Sequence, residues 1–330
     1  MDMQDRSKSS QPISDKEVFS SEPFFPGQWN PFPVLPEEME GFRLENIVGS
    51  GSVGKVYRAT QTKEYAVKVF QCGTDSIREM ARHEYETGKM FNECEEILQS
   101  LNYCESEHQS FLIMEYGVPC LEYFSGRACS MRDLLNTVLR ISKTLEAIHA
   151  KGYSHFDVKP ENIVMVKGEA KLSDFSHCSQ FQCDQIYNRP MGTGVYMAPE
   201  ITAGGKYTGR EDMYSLGITM YTLLMAGRLP FDFAERKSKR RERTDTVDSL
   251  FIHPELLSII QRAAAFDAAD RFEGFQEFSG AIQTFIDSHS EKVDEKMPQY
   301  RVCPDFQQTV PPVTWDNDGF CEDGIDVKTS

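Results

Sequence analysis

The chain has 330 residues, with 35 Lys and Arg against 51 Asp and Glu, for a formal net charge of −16. A hydrophobic fraction of 40% and a charged fraction of 26% suit a globular protein with a sizeable core. The acidity argues against general nucleic-acid binding, and no apolar run reaches the roughly 18–20 residues of a membrane helix.

Met1–Glu40 is rich in Ser, Pro and charge without sustained periodicity, so residues 1–40 are expected to form a disordered arm. Within it, Pro23–Pro33 is aromatic enough to lie as a strap on a folded domain or to dock a partner. From Phe42 the pattern changes. Phe42–Thr60 alternates, then sets glycines at 49, 51 and 54 ahead of Val56. The segment after these glycines is another strand pattern, not a helix. That argues for a strand–loop–strand flap whose glycines let backbone N–H groups approach phosphate. The next strand, E-Y-A-V-K-V-F, carries Ala66 and Lys68. Alone, such a lysine is a solvated surface residue; behind a glycine loop it is a candidate for holding phosphate.

Ser76–Asn92 has helical spacing, with Ile77, Met80, Ala81, Glu84, Gly88 and Phe91 on one face. Glu84 is the only acid on that face and is the favoured partner for Lys68. Glu86 points about 160° away. It remains the rival, because Met90, four residues on, would fill a core position where Glu84 offers only Gly88. Phe111–Tyr116 reads as a buried strand ended by Gly117, and Val118–Ser130 has no regular pattern. Met131–Lys151 is a core helix, and Leu216–Ala226 is too short to be more than a buried one. Leu256–Ala265 and Phe278–Ile286 are further helices. Arg236–Arg243 is the one basic run, a solvated loop or a docking or import signal. Residues 290–330 turn polar and acidic and are expected to form a disordered tail. Nine Cys without a C-x-x-C pair fit reduced thiols of cytosol or nucleus. His177, Cys178 and Cys183 lack the spacing of a zinc site.

Ser154–Ser176 concentrates the chemistry. It sets a carboxylate at Asp157, an ammonium at Lys159, an amide at Asn162 and a second carboxylate at Asp174. Ile163–Val166 and Ala170–Leu172 form two short strands joined at Lys167-Gly168, a hairpin that would fix the separation of the acids. Phosphoryl transfer needs such a set: one carboxylate orients a hydroxyl, and an Asp–Asn pair holds magnesium.

The pattern H-x-D-x-K-x-x-N, succeeded twelve residues after Asn162 by D-F-x and preceded by the glycine loop and Lys68, resembles the eukaryotic protein kinases. Lys159, two residues beyond Asp157, is typical of the Ser/Thr type. Thr193 and Tyr196 in M-G-T-G-V-Y-M-A-P-E match that type's substrate platform. The resemblance spans Gly41–His289 and implies an α+β, bilobal fold. Residues 41–116 would make a small antiparallel β lobe with one helix, and 117–289 a larger helical lobe. ATP and Mg2+ would bind between them, with Asp157, Lys159, Lys68 and Glu84 catalytic and Asn162 and Asp174 on the metal. Nucleotide contacts would come from Val48, Gly49, Gly51, Gly54, Val56, Ala66, Lys68, Met114, Glu115, Gly117 and Val164. Glu200 with Arg271, and Asp212 behind the catalytic loop, would be structural. The resemblance also implies protein substrates bearing Ser or Thr, with no nucleic acid and no membrane, in cytoplasm or nucleus.

Two positions depart from the pattern. Phe156 stands where most such kinases have an Arg that receives a phosphate on the activation loop; Phe forms no charge-assisted bond. Activity independent of loop phosphorylation is therefore expected. Ser176 replaces a glycine; a left-handed backbone there would cost Ser about 1 kcal/mol, with a stiffer loop favoured as the effect over loss of metal binding. The same two departures leave room for a pseudokinase scaffold that binds nucleotide or partners without turnover. A small-molecule phosphotransferase is disfavoured by the A-P-E segment.

Overall fold

The structure, a computed structural model, describes residues 38–39, 42–50, 54–60, 64–181, 192–230, 252–297 and 300–302. Residues 1–37 of the N-terminal arm, Gly51, Tyr187, Cys183, the basic run and residues 303–330 lie outside these.

The first lobe opens with β1 (Glu38–Met39), β2 (Phe42–Ser50), β3 (Gly54–Thr60) and β4 (Glu64–Gln71). Helix α1 (Asp75–Met90) and strands β5 (Ser100–Glu105) and β6 (Gln109–Glu115) complete it. The strands form one antiparallel sheet in the order β1-β2-β3-β4-β6-β5. The period-two geometry of a strand decides which side chains reach the helix. On β4, Val67 and Val69 join Ala59, Phe111 and Ile113 in a core on one face. Phe70, two residues beyond Lys68, packs on the other face with Leu112 and Ala81 of α1. Lys68 therefore leaves the sheet on the side of α1.

A short connection, β7 (Val118–Pro119), α2 (Cys120–Phe124) and β8 (Cys129–Ser130), leads to the long helix α3 (Met131–Ala150). Ser130 caps α3 in a reciprocal capping box with Asp133. Then come β9 (Tyr153–Ser154), a 3-10 turn at Pro160–Asn162, β10 (Ile163–Val166), β11 (Glu169–Leu172) and β12 (Ser179–Gln180). The β10–β11 turn is made by Lys167 and Gly168, both at positive φ, 53° and 91°. That matches the two-residue hairpin geometry suited to the strand twist. The later described residues are mainly helical: α4 (Pro199–Thr202), α5 (Glu211–Leu224), α6 (Pro254–Ala263), α7 (Phe275–Ser288) and α8 (Ser290–Asp294), with a last strand β13 (Lys296–Met297). One apolar cluster joins α3, α5, α6 and α7 through residues such as Leu135, Ile141, Leu145, Leu216, Ile260 and Phe278. Among the described residues, no helix is long and apolar enough to cross a membrane.

The domain boundary expected at His289 is too early. Helix α8 and strand β13 lie beyond it, and β13 pairs with β8. Tyr300 is buried, and its hydroxyl donates to Leu223 O at 2.5 Å. Its backbone exchanges bonds with Gly126 and Arg127. The polar composition of the tail hid this, because one buried Tyr and a two-residue strand leave no periodic signal.

Candidate active site

The segment 155–162 is positioned by Asp212, the second residue of α5 and fully buried. Its Oδ2 accepts the His155 N–H, and its Oδ1 accepts the Phe156 N–H, both at 2.8 Å. His149 of α3 reaches Oδ2 through Nε2, also at 2.8 Å. Burial works to raise this carboxyl, but the bonds from His149 and the loop outweigh it and hold its pKa below the ordinary value. An ionised carboxylate thus fixes two consecutive peptide groups just ahead of Asp157.

Asp157 is itself buried and held at both oxygens. Oδ2 faces Lys159 Nζ at 2.8 Å and accepts from Asn162 Nδ2 at 3.0 Å; Oδ1 accepts the Thr193 N–H at 2.7 Å. Burial pushes its pKa up, yet Lys159 prevails and keeps it below the usual carboxylate range. Lys159 also donates to Thr193 Oγ1 at 2.5 Å. Asp157 Oδ1 has one partner among the described residues, so its second lone pair is free for an incoming hydroxyl.

Asn162 ties the two loops together. Its Nδ2 is spent on Asp157 O and Oδ2, which leaves the amide Oδ1 as its outward acceptor. Its backbone O accepts from both the N–H and Oγ of Ser173, the residue before Asp174. The β10–β11 hairpin carries the chain from one acid to the other, as its sequence implied.

Across the cleft, Lys68 Nζ donates to both Glu84 oxygens at 2.8 Å and lies 3.2 Å from Asp174 Oδ1. Glu84 is buried and Glu86 exposed, so the structure brings Glu84 to Lys68. Met90, the supposed core neighbour of Glu86, is 46% exposed. Burial works to lower the Lys68 pKa, but Asp174 and Glu84 override it, and Lys68 stays charged. For Asp174, too, burial is outweighed, by Lys68, Lys159 and the Ser176 hydroxyl, and its carboxyl sits well below the ordinary range. Burial pushes Glu84 up, to about 7, against the pull of Lys68. Lowering the pH through that value protonates Glu84 and loosens its hold on Lys68. Nucleotide affinity is therefore expected to weaken from about pH 8 to pH 6 in a titration, with Glu84→Gln flattening the profile.

The remaining candidates lie along the cleft. Val48 and Gly49 end β2, where bulges interrupt the register and Gly49 pairs with Val56 of β3. A Cβ at Gly54 would stand 2.5 Å from Val69 O, so this glycine is required by the close approach of β3 to β4. That is a different reason from the phosphate access inferred from sequence. Ala66 is buried and pairs with Met114 across β4 and β6. Met114 in turn packs between the Phe70 cluster and that of Leu98, Val164 and Val166. Gly117 lies against Val164, and Glu115 Oε2 meets Lys171 Nζ of β11 at 2.7 Å, an ion pair between the lobes.

Two left-handed residues mark the site: Phe156 at φ 63° and Asp174 at φ 62°. Such a backbone is uncommon for non-glycine residues and collects at functional sites. The strain anticipated at Ser176 is not there; it falls two residues earlier, on Asp174 itself. Phe156 is 3% exposed and packs with Val195, Tyr196, Met197, Tyr207 and Ile218. Its ring meets Tyr207 edge-on, with centroids 5.1 Å apart. Gly192, at φ 102°, crosses so close that a Cβ would lie 2.1 Å from Phe156 O. Sequence reasoning missed one contact of this segment with α1, His83 Nε2 to Cys178 O at 2.8 Å, since neither residue carries a local signal.

Glu200 and Arg271 form a two-pronged pair at 2.7 and 2.8 Å, with Arg271 buried and further bonded to Ala265 O, Phe266 O and Arg210 O. Arg271→Lys keeps the charge but loses the planar fork. A loss of about 2 kcal/mol in denaturant unfolding is expected.

A β-rich lobe and a helical lobe facing each other across two acids, an amide and two clamped lysines define a phosphotransferase architecture. Residues 42–299 match the family described as "Protein kinase domain", and the chain belongs to that family. It is similar to the serine/threonine-protein kinase Pkn1 of Myxococcus xanthus, 28% identical over 78% of this chain and 40% of that protein. The serine/threonine-protein kinase ppk16 of Schizosaccharomyces pombe is 36% identical over 58% of this chain and 29% of its own length. The serine/threonine-protein kinase PrkC of Bacillus subtilis is 26% identical over 77% and 42%. The chain spans less than half the length of each of these relatives.

Proposed function

We propose that this chain is a serine/threonine protein kinase, transferring the γ-phosphoryl group of ATP to Ser or Thr hydroxyls of proteins. The observation that carries the reading is the joining of two clusters. Lys68, Glu84 and Asp174 form one, and Asp157, Lys159, Asn162 and Thr193 the other, linked through the Asn162–Ser173 bonds. The relatives' names point the same way.

In this reading Lys68, fixed by Glu84, takes the nucleotide's phosphates, and the β2–β3 flap covers them. Asp157 Oδ1 accepts the hydrogen bond of the substrate hydroxyl and aims it, while Lys159 offsets charge on the moving group. Asn162 Oδ1 and the open oxygen of Asp174 are hard donors of the kind Mg2+ prefers, and they are the residues that would hold it. Bound there, Mg2+ would neutralise phosphate charge. Ala66, Met114 and Val164, with Val48 and Val56, would enclose the base, and the backbone of Glu115 and Gly117 would bond its edge.

The segment 192–201 is held by the bonds of Asp157 and Lys159 to Thr193 and by the apolar packing of Phe156, contacts that involve no phosphate, which supports activity without a phosphate on the loop. Six described cysteines are free thiols, which supports a cytosolic or nuclear location. The test is incubation with γ-labelled ATP, Mg2+ and a generic basic protein, then acid hydrolysis. Phosphoserine and phosphothreonine are expected. Phosphotyrosine, or nucleotide binding with no transfer, would overturn the reading, the latter leaving a scaffold.

A further inference from the structure

Ser176 occupies a position where the family pattern has glycine, and its side chain touches the acid assigned above to the metal. Its Oγ donates to Asp174 Oδ1 at 2.6 Å, and its N–H reaches the same oxygen at 3.3 Å. Lys68 Nζ is the third donor on that atom, at 3.2 Å. The N–H and Lys68 contacts are long and can yield, so the hydroxyl is the donor that holds Oδ1. The hydroxyl bond lies in the short range of charge-assisted bonds. Oδ2, by contrast, accepts no bond from the described residues, and the Asp174 side chain is 29% exposed.

We infer that Ser176 is a positioning residue that commits Asp174 to bind a divalent cation through Oδ2 alone. Resting on the kinase reading of the site, the inference adds a property of the metal centre. Glycine at this place would supply only the long N–H contact, leaving Oδ1 as well as Oδ2 available to a divalent cation. With the hydroxyl in place, Asp174 is a one-oxygen ligand. One ion then binds tightly, and a second, sharing the nucleotide's phosphates, is held weakly. The left-handed backbone of Asp174 contributes by bringing its carboxylate within reach of the Ser176 N–H and Oγ.

The test is a titration of the full chain with Mn2+ in the presence of a non-hydrolysable ATP analogue, with free Mn2+ monitored by electron paramagnetic resonance. The wild type is expected to show one tight and one weak ion per nucleotide. Ser176→Ala and Ser176→Gly each release Oδ1 and should tighten the weaker ion by about tenfold, the size of an outer-shell effect but opposite in sign, because this partner withholds a ligand oxygen. Ser176→Thr keeps a hydroxyl and should retain the wild-type isotherm. The Gly variant carries the test should Ala fail to fold. Isotherms unchanged in Ala and Gly, with binding still abolished by Asp174→Asn, would remove the role of Ser176 alone. Mn2+ binding indifferent to Asp174→Asn would remove the metal assignment and this inference with it.

Discussion

Asp157→Asn is expected to lower the rate of phosphoryl transfer about a thousandfold, or ~4 kcal/mol of barrier. The reason lies in how completely the carboxylate is wired. Lys159, Asn162 and the Thr193 N–H all donate to it, and the remaining lone pair on Oδ1 is what an incoming hydroxyl would meet. An amide fits the same space but must put its NH2 on one side. Placed toward Lys159 and Asn162, the NH2 opposes two donors. Placed toward Oδ1, it opposes Thr193 and repels the hydroxyl's proton. Substrate binding should survive, so kcat falls and KM moves little, a split that steady-state kinetics on the two proteins would show. A variant retaining a tenth or more of wild-type kcat would refute this role.

The second large effect is expected at Phe156. Truncation to Ala should cost about 3–5 kcal/mol, the range for a buried Phe, measured by denaturant unfolding. It should also reduce transfer, because the ring packs the catalytic loop against Val195–Ala198, Ile201, Tyr207 and Ile218. Where an arginine–phosphate pair depends on a modifying event, an apolar wedge is always in place. Ser179→Ala combined with Tyr187→Phe should accordingly leave transfer within about twofold, since no phosphate is needed to order this contact. If that double variant lost most activity while Phe156→Ala lost little, the apolar clamp would be disproved.

Much of this was legible in the chain, because the decisive signals are local. The α1 face that put Glu84 among apolar residues, the β10–β11 hairpin and the spacing from Asp157 to Asp174 each fit within one or two elements. Helical spacing alone separated Glu84 from Glu86. What escaped the sequence depends on distant partners. Strand β8 is two residues long and exists only because β13, far downstream, pairs with it. Tyr300 is buried by contacts with residues around 125 and 223, which no window contains. The family pattern's glycine pointed to Ser176 as the place where a left-handed backbone would be strained, whereas the loop places the left-handed residue at Asp174. Ser176 uses its hydroxyl where a glycine would have used its freedom. Gly54 is a further case: the motif suggested phosphate access, but the packing of two strands already demands the missing Cβ.

The most direct test of the account is calorimetric binding of ATP with and without Mg2+ to the wild type, Lys68→Met, Asn162→Ala and Asp174→Asn. Saturable, Mg2+-dependent binding is expected in the wild type. Lys68→Met should weaken it by about tenfold or more through lost charge-assisted bonds to phosphate. Asn162→Ala and Asp174→Asn should abolish the Mg2+ dependence while leaving residual metal-free affinity. Wild-type binding indifferent to Mg2+, or unchanged in all three variants, would contradict a triphosphate and its ions shared among these side chains.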